Sequence, residues 1–174
     1  EANSVAIRIA RASTTRHNVA ICGYHGWHDW YLSTNLSKEK KLGFHLFPGV
    51  KIKGVPKELK NTAIPFFYGD LKNLKKIIKK EKIGIIKMEV ARFNKPDVKF
   101  LKNVRKICDE NNIILIFDEC TTGFRQNYGG LHKTTGVNPD IAIFGKTLGN
   151  GYAINAIIGK KKFMSNVDNT FISS

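Results

Sequence analysis

Apolar positions follow two different periods along the chain. Ala2, Val5, Ala6, Ile9 and Ala10 recur at helical spacing, so residues 1–11 are expected to form an amphipathic helix. Asn18–Cys22 is a short β-type run closed by Gly23, and Ile64–Tyr68 reads as a second short strand. Asp70 stands as a cap before Leu71, Leu74, Ile77 and Ile78, which predicts a helix ending by Lys82. Ile83–Val90 follows as a strand. Asp97 then opens a helix that places Phe100, Leu101, Val104, Ile107 and Cys108 on one face and closes at Asn111 and Asn112. The continuous apolar run Ile113–Phe117 fits a strand covered on both faces. Ile141–Phe144 and Ala153–Ile158 supply two more strands. Strand, helix, strand at this spacing predicts an α/β fold: a mostly parallel sheet flanked by helices and joined by right-handed crossovers.

Two segments break the rhythm. Gly23–Tyr31 (Gly-Tyr-His-Gly-Trp-His-Asp-Trp-Tyr) is aromatic and glycine-flanked, and reads as a functional loop. Residues 32–62 are polar, Lys-rich and punctuated by Pro48-Gly49 and Gly54-Val-Pro56, as expected of a surface insertion with little regular structure. With 174 residues the chain is about one domain, or a piece of a larger one. Its opening helix has no preceding cap and Asn169–Ser174 has no terminating signal, so residues 1–174 are expected to be the central part of a longer protein.

Composition narrows the class. At 42% apolar and 25% charged the chain can build a core. No apolar run approaches the length of a membrane span, and no secretory leader pattern appears. Cys22, Cys108 and Cys120 lack any C-x-x-C spacing, which argues against a disulfide scaffold or a thiolate metal site and fits a reducing cytoplasm. The formal charge of +15 raises the question of a nucleic-acid partner. Yet 23 of the 29 basic residues are Lys, many between Lys38 and Lys82, whereas bidentate phosphate and base recognition favours Arg. A charge run of this kind is expected to be a solvated face.

The chemistry gathers where strands end. In open α/β sheets ligands bind beyond the carboxyl ends of the strands. Asp118-Glu119 follows one apolar run, Gly145-Lys146 another, the Gly23–Tyr31 loop a third, and Glu89 closes a fourth. Neither a phosphate loop nor a dinucleotide fingerprint is present. A buried carboxylate, a lysine and an aromatic face together suit pyridoxal phosphate. The lysine forms the Schiff base, the carboxylate keeps the pyridine nitrogen protonated, and the aromatic ring stacks on the cofactor.

Three quoted stretches resemble a known family. Asp118-Glu-Cys-Thr-Thr-Gly-Phe-Arg125, Gly136-Val-Asn-Pro-Asp140 and Phe144-Gly-Lys-Thr-Leu-Gly-Asn-Gly151 are similar to the core of class III aminotransferases, the pyridoxal-phosphate enzymes that include glutamate-1-semialdehyde aminomutase. Glu1-Ala-Asn with Arg8 and Arg11, and Tyr24-His-Gly26, resemble upstream motifs of that family in the same order. The resemblance implies the type I large domain and a catalytic Lys146 that bonds the cofactor and later moves the α-proton. It makes Asp118 the partner of the pyridine nitrogen and Tyr24 the stacking ring. His25 is implied to touch the cofactor or what holds it, Cys120 to pack on the ring's other face, and Thr121 to reach the ring oxygen. Glu119 is expected to be structural; Trp27, His28 and Trp30 to shape the pocket entrance or pack beneath the loop.

The same resemblance implies a small-molecule amino donor, a carbonyl acceptor and a homodimer, with no membrane partner. The strand bearing Glu89 ends Glu-Val where relatives have Glu-Pro, and Thr121 stands where many have Gln. Phosphate anchors of relatives would fall before Glu1 and at or past Ser174. The rival expectation is an inactive or cofactor-free basic protein on the same scaffold, contacting RNA or acidic partners through the Lys38–Lys82 face.

Overall fold

The computed structural model describes residues 1–37, 50–92 and 94–172. In chain order the regular elements are α1 (Ala2–Ala12), β1 (Asn18–Cys22), α2 (Asp29–Leu32), β2 (Ala63–Pro65), α3 (Leu71–Glu81), β3 (Ile83–Glu89), α4 (Val98–Asn111), β4 (Ile114–Asp118), β5 (Ile141–Phe144), β6 (Ala156–Gly159) and α5 (Lys161–Met164). Six strands form one sheet in the order β2-β1-β3-β4-β5-β6. The first five are mutually parallel, and β6 pairs antiparallel with β5. The expected mostly parallel α/β sheet is therefore present, with one antiparallel edge strand.

Side-chain alternation along the strands divides the core into two layers. Val19, Ile21, Ile85, Ile114, Ile116, Ile141 and Ile143 pack with α1, Trp30 and Tyr31 on one face. Ala20, Cys22, Ile86, Met88, Leu115 and Phe117 pack with the apolar stripes of α3 and α4 on the other. Helix starts follow from capping: Asp70 accepts from the Asn73 N–H at 2.8 Å and Asp97 from the Phe100 N–H at 2.9 Å. Both helices end on a left-handed residue, Lys82 and Asn112, which turns the chain directly into the next strand. The lysines of α3 (Lys72, Lys75, Lys76, Lys79 and Lys80) are exposed opposite buried Leu74 and Ile77, so this part of the positive charge is a solvated helix face.

Asp140, from the Gly136–Asp140 motif, secures the end of the sheet where the parallel strands begin. Its buried carboxylate accepts from the Leu115 N–H at 2.8 Å and pairs with Arg105 at 3.0 Å and Lys160 at 2.7 Å. Burial alone would push this acid up. The Leu115 N–H and the two cations outweigh burial and hold it below the usual carboxylate range.

Two expectations need correcting. The aromatic loop ends in a helical turn, α2, because Trp30 and Tyr31 are drawn into the α1 layer; the Trp30 indole N–H donates to the Ser4 hydroxyl at 3.0 Å. The segment 32–62 is not wholly superficial, since Ser33, Thr34 and Val55 are buried and short 3-10 turns form at Ser33–Leu36 and Lys57–Leu59. Residues 38–49 of that segment lie outside the described residues.

Candidate active site

Asp118 is the last residue of β4, and Glu89, the last of β3, is its register partner. The period of two puts Ile116 and Asp118, and likewise Ile85, Lys87 and Glu89, on the α1 face of the sheet. At the carboxyl ends of these neighbouring strands the apolar layer gives way to charge.

Asp118 is buried, with 4% of its surface exposed, and both oxygens of its carboxylate meet donors. Oδ2 meets His25 Nδ1 at 2.8 Å and Lys87 Nζ at 3.5 Å, and Oδ1 accepts from the Cys120 N–H at 3.0 Å. Burial alone would raise this acid. The facing Lys87 cation and the His25 ring outweigh it and hold Asp118 far below the ordinary carboxylate range. His25 is equally buried, and burial followed by Lys87 pulls its imidazole from 6.5 down to about 4 against the opposing pull of Asp118. The ring is therefore neutral near pH 7, and Nδ1, facing an acceptor-only anion, carries the proton. His25 also lies parallel to Trp30, with ring centroids 6.3 Å apart, and edge-on to Tyr31 at 5.6 Å.

Tyr24 is set by the strand end beside it. Its N–H donates to Glu89 Oε2 at 3.1 Å, and Glu89 Oε1 pairs with Arg92 at 2.7 Å. The Arg92 guanidinium lies 5.8 Å from the centre of the Tyr24 ring. Gly23 permits this arrangement: its φ is +104°, and a Cβ there would stand 2.4 Å from Glu89 Oε2.

Lys146 emerges from the turn after β5. Its backbone is left-handed, at φ +44°, a conformation that costs a non-glycine residue of order 1–3 kcal/mol and is often kept at functional positions. The side chain is exposed, and Nζ donates to the Thr121 hydroxyl at 3.4 Å. The preceding Gly145 lies against Cys120: a Cβ there would meet Asn155 Oδ1 at 2.5 Å and Cys120 Sγ at 3.3 Å. Cys120 and Thr121 thus bridge the buried anion and the exposed amine, one bonding to Asp118 and the other to Lys146. Burial, then the Asp118 charge, pushes the Cys120 thiol up to about 12, which suits packing and not nucleophilic attack.

Glu119, adjacent in sequence, turns away. Oε1 accepts from both the backbone N–H and the Nδ1 of His132 at 2.8 Å, and Oε2 accepts from the Thr122 hydroxyl. It braces the 119–132 loop. Trp27 is 73% exposed and stacks on His28, so only Trp30 of the three flanking aromatic residues packs beneath the loop.

The strand-and-motif reading brings together Asp118, His25, Cys120, Thr121 and Lys146, with Tyr24 beside Glu89. It passes over Lys87 and Arg92. Lys87 had a visible signal, a lone charge inside the run Ile83–Met88, where a strand covered on both faces leaves no solvated side for it. Arg92 carried no such signal, because its role depends on the turn after β3.

The chain has known relatives. The family described as Aminotransferase class-III matches residues 1–173, and the chain belongs to that family. It is 37% identical over 184 aligned positions to a 3-aminobutyryl-CoA aminotransferase of Cloacimonas acidaminovorans, covering 100% of this chain and 40% of the relative. It is 39% identical to a glutamate-1-semialdehyde 2,1-aminomutase of Nitrosopumilus maritimus, covering 94% and 39%. Among solved structures, an omega-transaminase from Sphaerobacter thermophilus superposes with a TM-score of 0.75 at 27% identity, covering 93% of this chain and 39% of that one. The chain spans about two-fifths of the length of the curated relatives it matches.

Proposed function

We propose that these residues are the central part of the large domain of a pyridoxal-phosphate-dependent enzyme that transfers an amino group from a small-molecule donor to a carbonyl acceptor, as a homodimer. The observation that carries this reading is the buried, anionic Asp118 joined through Cys120 and Thr121 to the Lys146 amine at the carboxyl ends of parallel strands. The site residues fit the cofactor. Asp118 is an acceptor-only anion whose remaining lone pairs need a donor, which a protonated pyridine nitrogen supplies. Lys146 offers an exposed primary amine for the aldehyde, and glycine at 145 lets the turn that carries it pack against Cys120 and Asn155.

When bound, pyridoxal phosphate supplies an electron-withdrawing ring that accepts the charge left when a proton is removed beside the substrate nitrogen. The chain's own residues then have separable tasks. Asp118 holds a proton on the ring nitrogen. Neutral His25 holds the orientation of the Asp118 carboxylate by donating from Nδ1. Thr121 steadies Lys146 Nζ, and the Lys146 amine would take the proton from the substrate carbon that bears the nitrogen and return it on the other side of that nitrogen. Tyr24, held by Glu89, offers an aromatic face.

The test uses the full-length protein with pyridoxal phosphate. The expected result is an absorption band near the visible edge that borohydride bleaches, leaving a pyridoxyl mass on the peptide containing Lys146. A reduced adduct that persists in Lys146→Ala overturns the assignment.

A further inference from the structure

Lys87 is the most unusual residue in the sheet. It lies in the middle of β3, flanked in register by Ile21 of β1 and Ile116 of β4, and none of its surface is exposed. Burial draws the Lys87 ammonium below its ordinary value, and the facing Asp118 carboxylate is the largest influence that keeps it protonated. Its partner is Asp118 Oδ2, the same oxygen that His25 engages. Lys87 is one strand layer below the sheet's carboxyl edge, since its register partner is Ile116 and that of Asp118 is Glu89. It therefore approaches Asp118 from inside the protein, at Oδ2, while Oδ1 faces the Cys120 N–H at the strand end.

We propose that Lys87 is a positioning residue that acts through Asp118 as a built-in counter-ion, fixing how strongly that carboxylate holds a proton on the ring nitrogen of a bound pyridine. This rests on the cofactor reading above and deepens it. An isolated carboxylate facing a pyridine nitrogen stabilises the protonated ring by its full charge. With a cation fixed on Oδ2, part of that field is already neutralised, and the ring nitrogen gives up its proton at lower pH than it would beside Asp118 alone. The same cation acts on His25, whose ring it keeps neutral together with burial.

Other charged or titratable groups act on this cluster. Glu89 bears on both Lys87 and Asp118 and is itself paired with Arg92. The Cys120 thiol bears on Lys87 and is in turn influenced by Asp118 and Lys146. Tyr31 lies edge-on to His25, and Tyr24 edge-on to Tyr31. Among the described residues, Lys87 and His25 meet Asp118 Oδ2 through side chains, and the Cys120 thiol also bonds to this carboxylate.

The variants are Lys87→Met, which removes the charge at similar volume, and Lys87→Arg, which keeps it. In the full-length, cofactor-free protein, nitrogen NMR of His25 is expected to show its titration midpoint about one to three pH units higher in Lys87→Met and unmoved in Lys87→Arg. In the protein loaded with pyridoxal phosphate labelled at its ring nitrogen, deprotonation of that nitrogen is expected about one unit or more higher in Lys87→Met. A His25 midpoint that stays in place in a folded Lys87→Met protein overturns the proposal, as does an unmoved ring-nitrogen midpoint. A His25 displacement in a protein that takes up no pyridoxal phosphate overturns the cofactor reading instead and leaves Lys87 established as the counter-ion. If Lys87→Met does not fold, Lys87→Gln is measured in its place with the same two expected displacements.

Discussion

Replacing Asp118 by Asn tests the central cluster without changing its shape. The amide leaves buried Lys87 without its paired carboxylate, and turns an NH2 group either toward both Lys87 Nζ and the His25 Nδ1–H or toward the Cys120 N–H. Breaking one member of a buried pair costs about 3–5 kcal/mol, most of it the stranded charge. The suitable readout is native-state hydrogen exchange of the β3 and β4 amides, which reports local opening directly. A loss of about 3–5 kcal/mol appears as a roughly 10²- to 10⁴-fold fall in protection at Ile116 and Phe117. Adding Lys87→Met to Asp118→Asn removes the stranded charge, so the double variant should recover about 2–3 kcal/mol relative to the sum of the singles. Effects that add to within about 0.5 kcal/mol would refute the pairing.

Gly23→Ala forces a Cβ to within 2.4 Å of Glu89 Oε2 at a left-handed φ, and should cost about 2–4 kcal/mol while displacing Tyr24. Thermal melting of the full-length protein checks the first effect, and fluorescence titration with pyridoxal phosphate should show at least roughly tenfold weaker binding, since 1.4 kcal/mol is tenfold. The buried neutral His25 predicts an acid sensitivity with a definite sign. Above about pH 6.5 the folded and unfolded rings are both neutral. Below it the unfolded ring takes a proton that the folded ring refuses until about pH 4, so stability falls by about 3 kcal/mol across that window. Denaturation of wild type and His25→Asn at pH 7 and near pH 4 measures this, and equal pH dependence in the two would be the contrary result.

The elements legible in the sequence are those whose cause is local. Asp70 and Asp97 announce α3 and α4 because a cap and an apolar stripe belong to one segment, and Ile141–Phe144 is recovered residue for residue. Boundaries drift where tertiary pairing decides them: β6 begins at Ala156, not Ala153, because it starts where it can bond antiparallel to Phe144. The aromatic loop hid a helical turn, since what makes Asp29–Leu32 helical is burial of Trp30 and Tyr31 against α1. In the candidate site, the ends of the apolar runs pointed to Asp118 and Lys146, and the family resemblance to Thr121. The Lys87 ion pair was not drawn from either, because two residues 31 positions apart meet only through strand register.

Asp140 and Asp118 sit at opposite poles of the same parallel sheet, one tying down the foundations and the other working at the rim. That separation gives the molecule a division of labour. Substitutions around Arg105 and Lys160 can firm or loosen the scaffold from beneath without reaching the candidate site at the rim. An engineer wanting a sturdier fold would accordingly begin at the base of the strands.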